Sequence, residues 1–208
     1  MDRKRVGIVI FDEIEVLDFC GPFEVFSVTR LDEERRREEA SPFEVLLISG
    51  SGQPVKTTGG MKVIPDVTFE HCPSLDILVV PGGWGTRMEM SNQTLLSLVC
   101  TSASEVQTLA SVCTGALILG SAGLLDGLRA TTHWRSLQTM RKLFPKVTVD
   151  SKSHVVKAGR VITSAGISAG IDMALFVVAE YCGEAIARVT ARHMEYPFCE
   201  TNERRIDL

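Results

Sequence analysis

Cys113 stands where a sulfur nucleophile would be useful. In Leu109-Ala110-Ser111-Val112-Cys113-Thr114-Gly115-Ala116 an apolar stretch runs straight into the cysteine, and small residues with helical spacing follow it. A strand entering and a helix leaving make the geometry of a nucleophile elbow. Such a turn needs a residue like Gly115 or Ala116, so that neighbouring backbone can approach closely. It sets the sulfur over the N-terminus of the next helix, where the dipole and free N–H groups favour a thiolate. The N–H of Thr114 is then placed to stabilise an oxyanion, and the pair Gly82-Gly83 offers a second backbone donor. The competing reading is an inert buried thiol at a strand end. The pattern by itself leaves both open.

A nucleophilic thiol needs a proton partner. Asp18 is the best candidate, in Leu17-Asp18-Phe19-Cys20-Gly21-Pro22 between a first strand and a helix. An acid in an apolar setting has its pKa raised and can carry a proton near neutrality. A helix cap or turn residue is the alternative there. Glu24, in the following helix, reads as a first-turn acid. His133, in Ala130-Thr131-Thr132-His133-Trp134, has the chemistry of a Cys–His partner, but a lone histidine near an aromatic is more often a structural residue. Asp172 follows Gly170 at the start of an apolar helix, which dipole stabilisation explains. Trp84 and Met88 either line an entrance or cap the sheet.

The elements that must position these residues alternate along the chain. Strands are predicted over 5–11, 43–49, 76–80, 106–112 and 147–150, with hairpins over 55–64 and over 154–157 and 160–163. Helices are predicted over 22–29, opened by Pro22, and over 92–102, 114–125, 136–144, 168–181 and 184–194. The charge run 32–39 reads as a solvated helix end or loop. Strand–helix alternation predicts one α/β domain over 1–208, with a mostly parallel sheet covered on both faces. Ligands of such sheets sit beyond the carboxyl ends of the strands, where Asp18, Gly82-Gly83 and Cys113 could converge.

Composition removes several classes. The 208 residues suit one sizeable domain, and 45% hydrophobic content suffices for a core. A net charge of −4 gives no basic footprint for nucleic acid. The apolar runs are too short to span a bilayer, and the basic start lacks a signal-peptide cleavage site, so a cytoplasmic location is expected. The six cysteines show neither secretory context nor metal-ligand spacing, and His71-Cys72 alone is weak, so neither disulfides nor a metal is expected. Cys20, Cys100 and Cys182 read as core or near-core. Gly50-Ser51-Gly52 is no dinucleotide fingerprint, because Val55 stands where the third glycine belongs. No G-x-S-x-G sits at a strand–helix turn.

Six ordered motifs carry a family resemblance: residues 16–22, Val80-Pro81-Gly82-Gly83, 111–116, 123–127, 130–134, and Gly166-Ile167-Ser168-Ala169-Gly170-Ile171-Asp172-Met173-Ala174. Together they resemble the ThiJ/PfpI superfamily, most nearly its isonitrile hydratase branch and the ligand-like domain of AraC-type regulators. The resemblance implies a flavodoxin-like α/β sandwich, a homodimer, a small-molecule substrate, and no cofactor or metal. It implies Cys113 as nucleophile, Asp18 as acid, backbone donors at Gly82, Gly83 and Thr114, and Thr114 near the substrate. The implied reaction adds water to an isonitrile and yields an N-substituted formamide. Thr114 departs from the protease branch, which carries histidine after the nucleophile, and Asp18 departs from the glutamate of the deglycase-like branch. The regulators' DNA-binding domain is not expected after Glu195. A non-catalytic binding domain and a cysteine redox or electrophile sensor are the alternatives.

Overall fold

A computed structural model describes residues 3–206. In chain order the elements are β1 (Lys4–Val9), α1 (Val16–Val28), β2 (Phe43–Ser49), β3 (Val55–Lys56), β4 (Lys62–Val63), β5 (Val67–Thr68), β6 (Ile77–Val80), α2 (Thr86–Glu89), α3 (Gln93–Glu105), β7 (Thr108–Ser111), α4 (Gly115–Ser121), β8 (Arg129–Ala130), a 3-10 turn (Trp134–Ser136), α5 (Leu137–Leu143), β9 (Thr148–Val149), β10 (Val155–Ala158), β11 (Val161–Ser164), α6 (Ala169–Cys182) and α7 (Glu184–His193).

The main sheet has the order β10-β11-β7-β6-β1-β2-β5. Every pair in it is parallel except β10 with β11, a hairpin that turns at Gly159. The central strands are apolar along their whole length because both faces are covered: β6 is buried at all four positions, and Ile8, Leu78 and Leu109 are among its neighbourhood's fully buried side chains. Each such side chain contributes roughly 1.5–3 kcal/mol by leaving water. Helices α1, α6 and α7 pack together as one cover, and α3 and α4 belong to the other. Gly21 lets α1 approach α6 closely, since a Cβ there would lie 2.9 Å from Ile171 Cγ1.

From β1 the chain goes first to β2 and later returns to β6 on β1's other side. The loops after β1 and β6 therefore leave the sheet side by side in opposite directions, and a crevice opens between them. The Ile14–Gly83 bridge joins these loops.

Two local expectations need correction. Helix α1 starts at Val16 rather than at Pro22, so Asp18 lies in its first turn and Pro22 inside it. Glu15 caps the helix with extended backbone and no side-chain hydrogen bond, so the sequence carries no cap signal there. Elements α2, β5 and β8 are too short for periodicity to reveal. Cys100 is exposed rather than near-core; all six cysteines are unpaired.

Candidate active site

Cys113 is the middle residue of the three-residue turn, 112–114, between the end of β7 and the start of α4, with φ at 56°. Left-handed backbone at a non-glycine residue costs on the order of 1–3 kcal/mol and persists only where the surroundings impose it. Here they do. The Cys113 N–H donates to Ala165 O at 3.1 Å, and its carbonyl accepts from Thr132 Oγ1 at 2.7 Å. Behind the turn, β6 presses against the elbow so tightly that a Cβ on Gly115 would lie 1.9 Å from Val80 O. A Cβ on Gly82 would lie 2.5 Å from the Thr114 nitrogen. The glycines demanded by sequence reasoning thus fit the close approach that it anticipated.

Asp18 is fully buried beneath this turn. One carboxyl oxygen, Oδ2, accepts from the Gly82 N–H at 3.0 Å, while Oδ1 has no hydrogen-bond partner among the described residues. The carboxyl keeps unused acceptor capacity beside the Cys113 thiol. Burial pushes its pKa up to about 7, against the opposing pull of the Gly82 N–H and the Cys113 thiol. The thiol itself is pushed well above its ordinary range, first by burial and then by the negative charge of Asp18. Backbone N–H groups of Thr114 and Ile167 oppose that shift. The helix terminus therefore favours a thiolate, as expected, but desolvation outweighs it, and the resting sulfur holds its proton.

The glycine pair acts differently from expectation. Its N–H groups are already engaged: Gly82 holds Asp18, and Gly83 donates to Thr114 Oγ1 at 3.0 Å. Thr114 Oγ1 also lies 2.9 Å from Thr86 Oγ1. The donors at the sulfur are Thr114, which the sequence suggests, and Ile167, which it does not. Ile167 follows β11 with φ at 44°. A β-branched residue in that conformation has no local sequence signature.

A cavity of about 360 Å³ opens above Cys113, within the range of small-ligand pockets. Thr114, Ile167, Gly83, His133, Trp84 and Trp134 are among its walls. His133 packs on the bare backbone of Gly166, where a Cβ would lie 1.9 Å from its ring. It makes no hydrogen bond to Cys113 among the described residues; its Nδ1 accepts from the Arg135 N–H at 3.3 Å. Burial and then the charges of Arg135 and Arg204 lower its pKa, so the ring is neutral. Trp84 lines the cavity, Met88 does not, and Glu24 is solvent-exposed. Asp172 serves elsewhere, bound to His154, Tyr196 and Arg205. A larger cavity of about 660 Å³ lies by β10, α6 and α7. Cys113 lines the smaller cavity and not this one, so the smaller one is the candidate site.

These features define an α/β sandwich domain that presents a cysteine on a strained strand-to-helix elbow over a buried acid. The chain belongs to the DJ-1/PfpI family, whose model matches residues 4–180. That bears out the superfamily and fold read from the six motifs. The isonitrile hydratase of Pseudomonas putida is 35% identical over 193 residues, spanning 92% of this chain and 78% of that one. The transcriptional regulator GbdR of Pseudomonas aeruginosa is 29% identical over 93% of this chain, which spans 51% of the regulator. A crystal structure of a ThiJ/PfpI family protein from Pseudomonas syringae superposes with a TM-score of 0.83 at 29% identity, covering 97% of this chain and 79% of that one.

Proposed function

We propose that this protein adds water to an isonitrile, or a similar small electrophile, to give an N-substituted formamide. The observation that carries the reading is the Cys113 thiol, which lines a small cavity, with the fully buried Asp18 carboxyl beside it. Asp18, once ionised, takes the thiol proton while sulfur attacks the terminal isonitrile carbon. Asp18 then returns that proton to the same carbon, leaving a thioimidate with a new C–S and a new C–H bond. The Thr114 and Ile167 N–H groups steady the developing sulfur charge. Water next adds to the carbon and supplies a proton to nitrogen. The C–S bond breaks, sulfur regains a proton, and the formamide leaves.

The identity to an isonitrile hydratase supports the same reading. With that reading we propose a cytoplasmic homodimer acting on a small molecule, with no cofactor or metal. No helix among the described residues is long and apolar enough to cross a membrane. The match to GbdR supports a second reading, a small-molecule-binding domain without turnover.

The test is incubation with a simple alkyl isonitrile while N-formamide is followed, with Cys113→Ala and Asp18→Asn alongside. Turnover that falls by about 10³-fold or more in both variants is expected, as for loss of a nucleophile or its base. A folded wild-type protein that binds the isonitrile without converting it would overturn this reading in favour of the second.

A further inference from the structure

Two guanidinium groups flank the Cys113 cavity, and neither is paired with an acid among the described residues. Arg87, on α2, stacks over the Trp84 ring with 4.5 Å from Cζ to the centroid. Arg135, in the 3-10 turn, stacks over Trp134 at 4.8 Å. All four residues line the cavity. Among the described residues no salt bridge or side-chain hydrogen bond engages either arginine, whereas Arg36, Arg188 and Arg205 each hold a carboxylate. Stacking uses the face of a guanidinium and leaves its N–H edge free. The indoles are themselves exposed, Trp84 at 61% and Trp134 at 43%, so these pairs are not buried as core packing.

The charges facing the cavity can be enumerated. Among the described residues Glu15 is its one lining carboxylate, and neutral His133 adds no charge. Two arginines against one glutamate leave the mouth positive on a chain whose net charge is −4. Two guanidinium groups lining one cavity suit a planar carboxylate, which accepts such donors in pairs. The indole faces beside them suit a short apolar spacer.

We propose that the substrate carries a terminal carboxylate, which Arg87 and Arg135 hold at the cavity mouth while its electrophilic end reaches Cys113. The proposal rests on the hydratase reading for the electrophile, though not for the anion.

The experiment compares 3-isocyanopropanoate with its methyl ester, a neutral substrate of nearly equal shape, in wild type and in the Arg87→Gln/Arg135→Gln double variant. Wild type is expected to favour the acid by about tenfold or more in kcat/KM, chiefly through KM, as charge-assisted hydrogen bonds allow. That preference shrinks from low to high salt and disappears in the double variant. A wild type that uses the ester equally well, or a preference that survives the double substitution, overturns the proposal. If neither isonitrile is converted, the hydratase reading fails separately. Calorimetric titration with N-formyl-β-alanine and with its amide then decides the anion site. Binding of the acid alone, lost in the double variant, supports it; equal binding or none refutes it.

Discussion

At the scale of single residues the site turns on the proton shared between Asp18 and Cys113. Moving a carboxyl from 3.8 to about 7 by burial corresponds to on the order of 4 kcal/mol. A raised carboxyl pKa means that the fold holds its proton more tightly than the unfolded chain. Full stability is therefore present below about pH 4, is lost as pH rises towards 7, and levels off above it. Asp18→Asn removes that cost, and its amide oxygen can still accept from Gly82. We expect the variant to be more stable by up to about 4 kcal/mol at pH 8, with the gap narrowing towards pH 4, in urea titrations. Its activity should be lost at the same time. In wild type, kcat/KM for an isonitrile should rise with pH to a midpoint near 7, as Asp18 becomes the carboxylate that accepts the thiol proton. A flat profile from pH 6 to 8 would remove Asp18 from the proton transfer. The sequence shows Asp18 and Cys113 as candidates because each sits in an apolar stretch beside small residues. It cannot show that Asp18 lies beneath the elbow, since burial of an acid depends on what a distant loop, here Gly82, places over it.

At the scale of elements the elbow depends on how closely β6 can lie against the start of α4. Gly115→Ala inserts a methyl 1.9 Å from a backbone oxygen, which no side-chain rotation relieves. Loss of at least about 2–3 kcal/mol and of activity is expected, in line with other overpacking and strain effects. Gly159 offers the control. Its φ is also unfavourable for alanine, at 63°, but open space surrounds it. Gly159→Ala should cost only about 1 kcal/mol and spare the site. Comparable urea midpoints for the two variants would mean that β6 yields easily. Such close approaches explain why the strand and helix order was legible while the helix boundary at Val16 was not. Alternating apolar runs reflect burial of whole elements. The start of α1 is fixed instead by tertiary hydrogen bonds, such as Glu15 N–H to Gly82 O, which leave no pattern along the chain.

At the scale of the whole molecule residues 196–205 brace the Cys113 turn. Residues 196–205 run back past β10, where Asn202 pairs through its side chain with both backbone groups of Val155. Arg204 then reaches Thr131 Oγ1 at 2.8 Å, Thr132 O at 3.0 Å and Ser151 O at 3.0 Å. Thr132 in turn donates to the Cys113 carbonyl. The terminal segment thus contacts the loop that holds the strained backbone in place, far from it in sequence. Sequence reading misses this, because an arginine in a polar tail carries no mark of the acceptors it will meet. Arg204→Ala removes three charge-assisted hydrogen bonds from a half-buried site, and on the order of 2 kcal/mol of stability should go with them. For a domain of this size that lowers Tm by roughly 4–8 °C. The effect on catalysis should appear in kcat more than in KM, because Arg204 is not among the cavity walls. Thr132→Val, which cuts only the link to the Cys113 carbonyl, should reproduce the loss in kcat with a smaller loss in Tm. If Arg204→Ala lowers Tm but leaves kcat intact, the strap stabilises the fold without bracing the elbow, and the strain at Cys113 is held by Ala165 and the β6 contact alone.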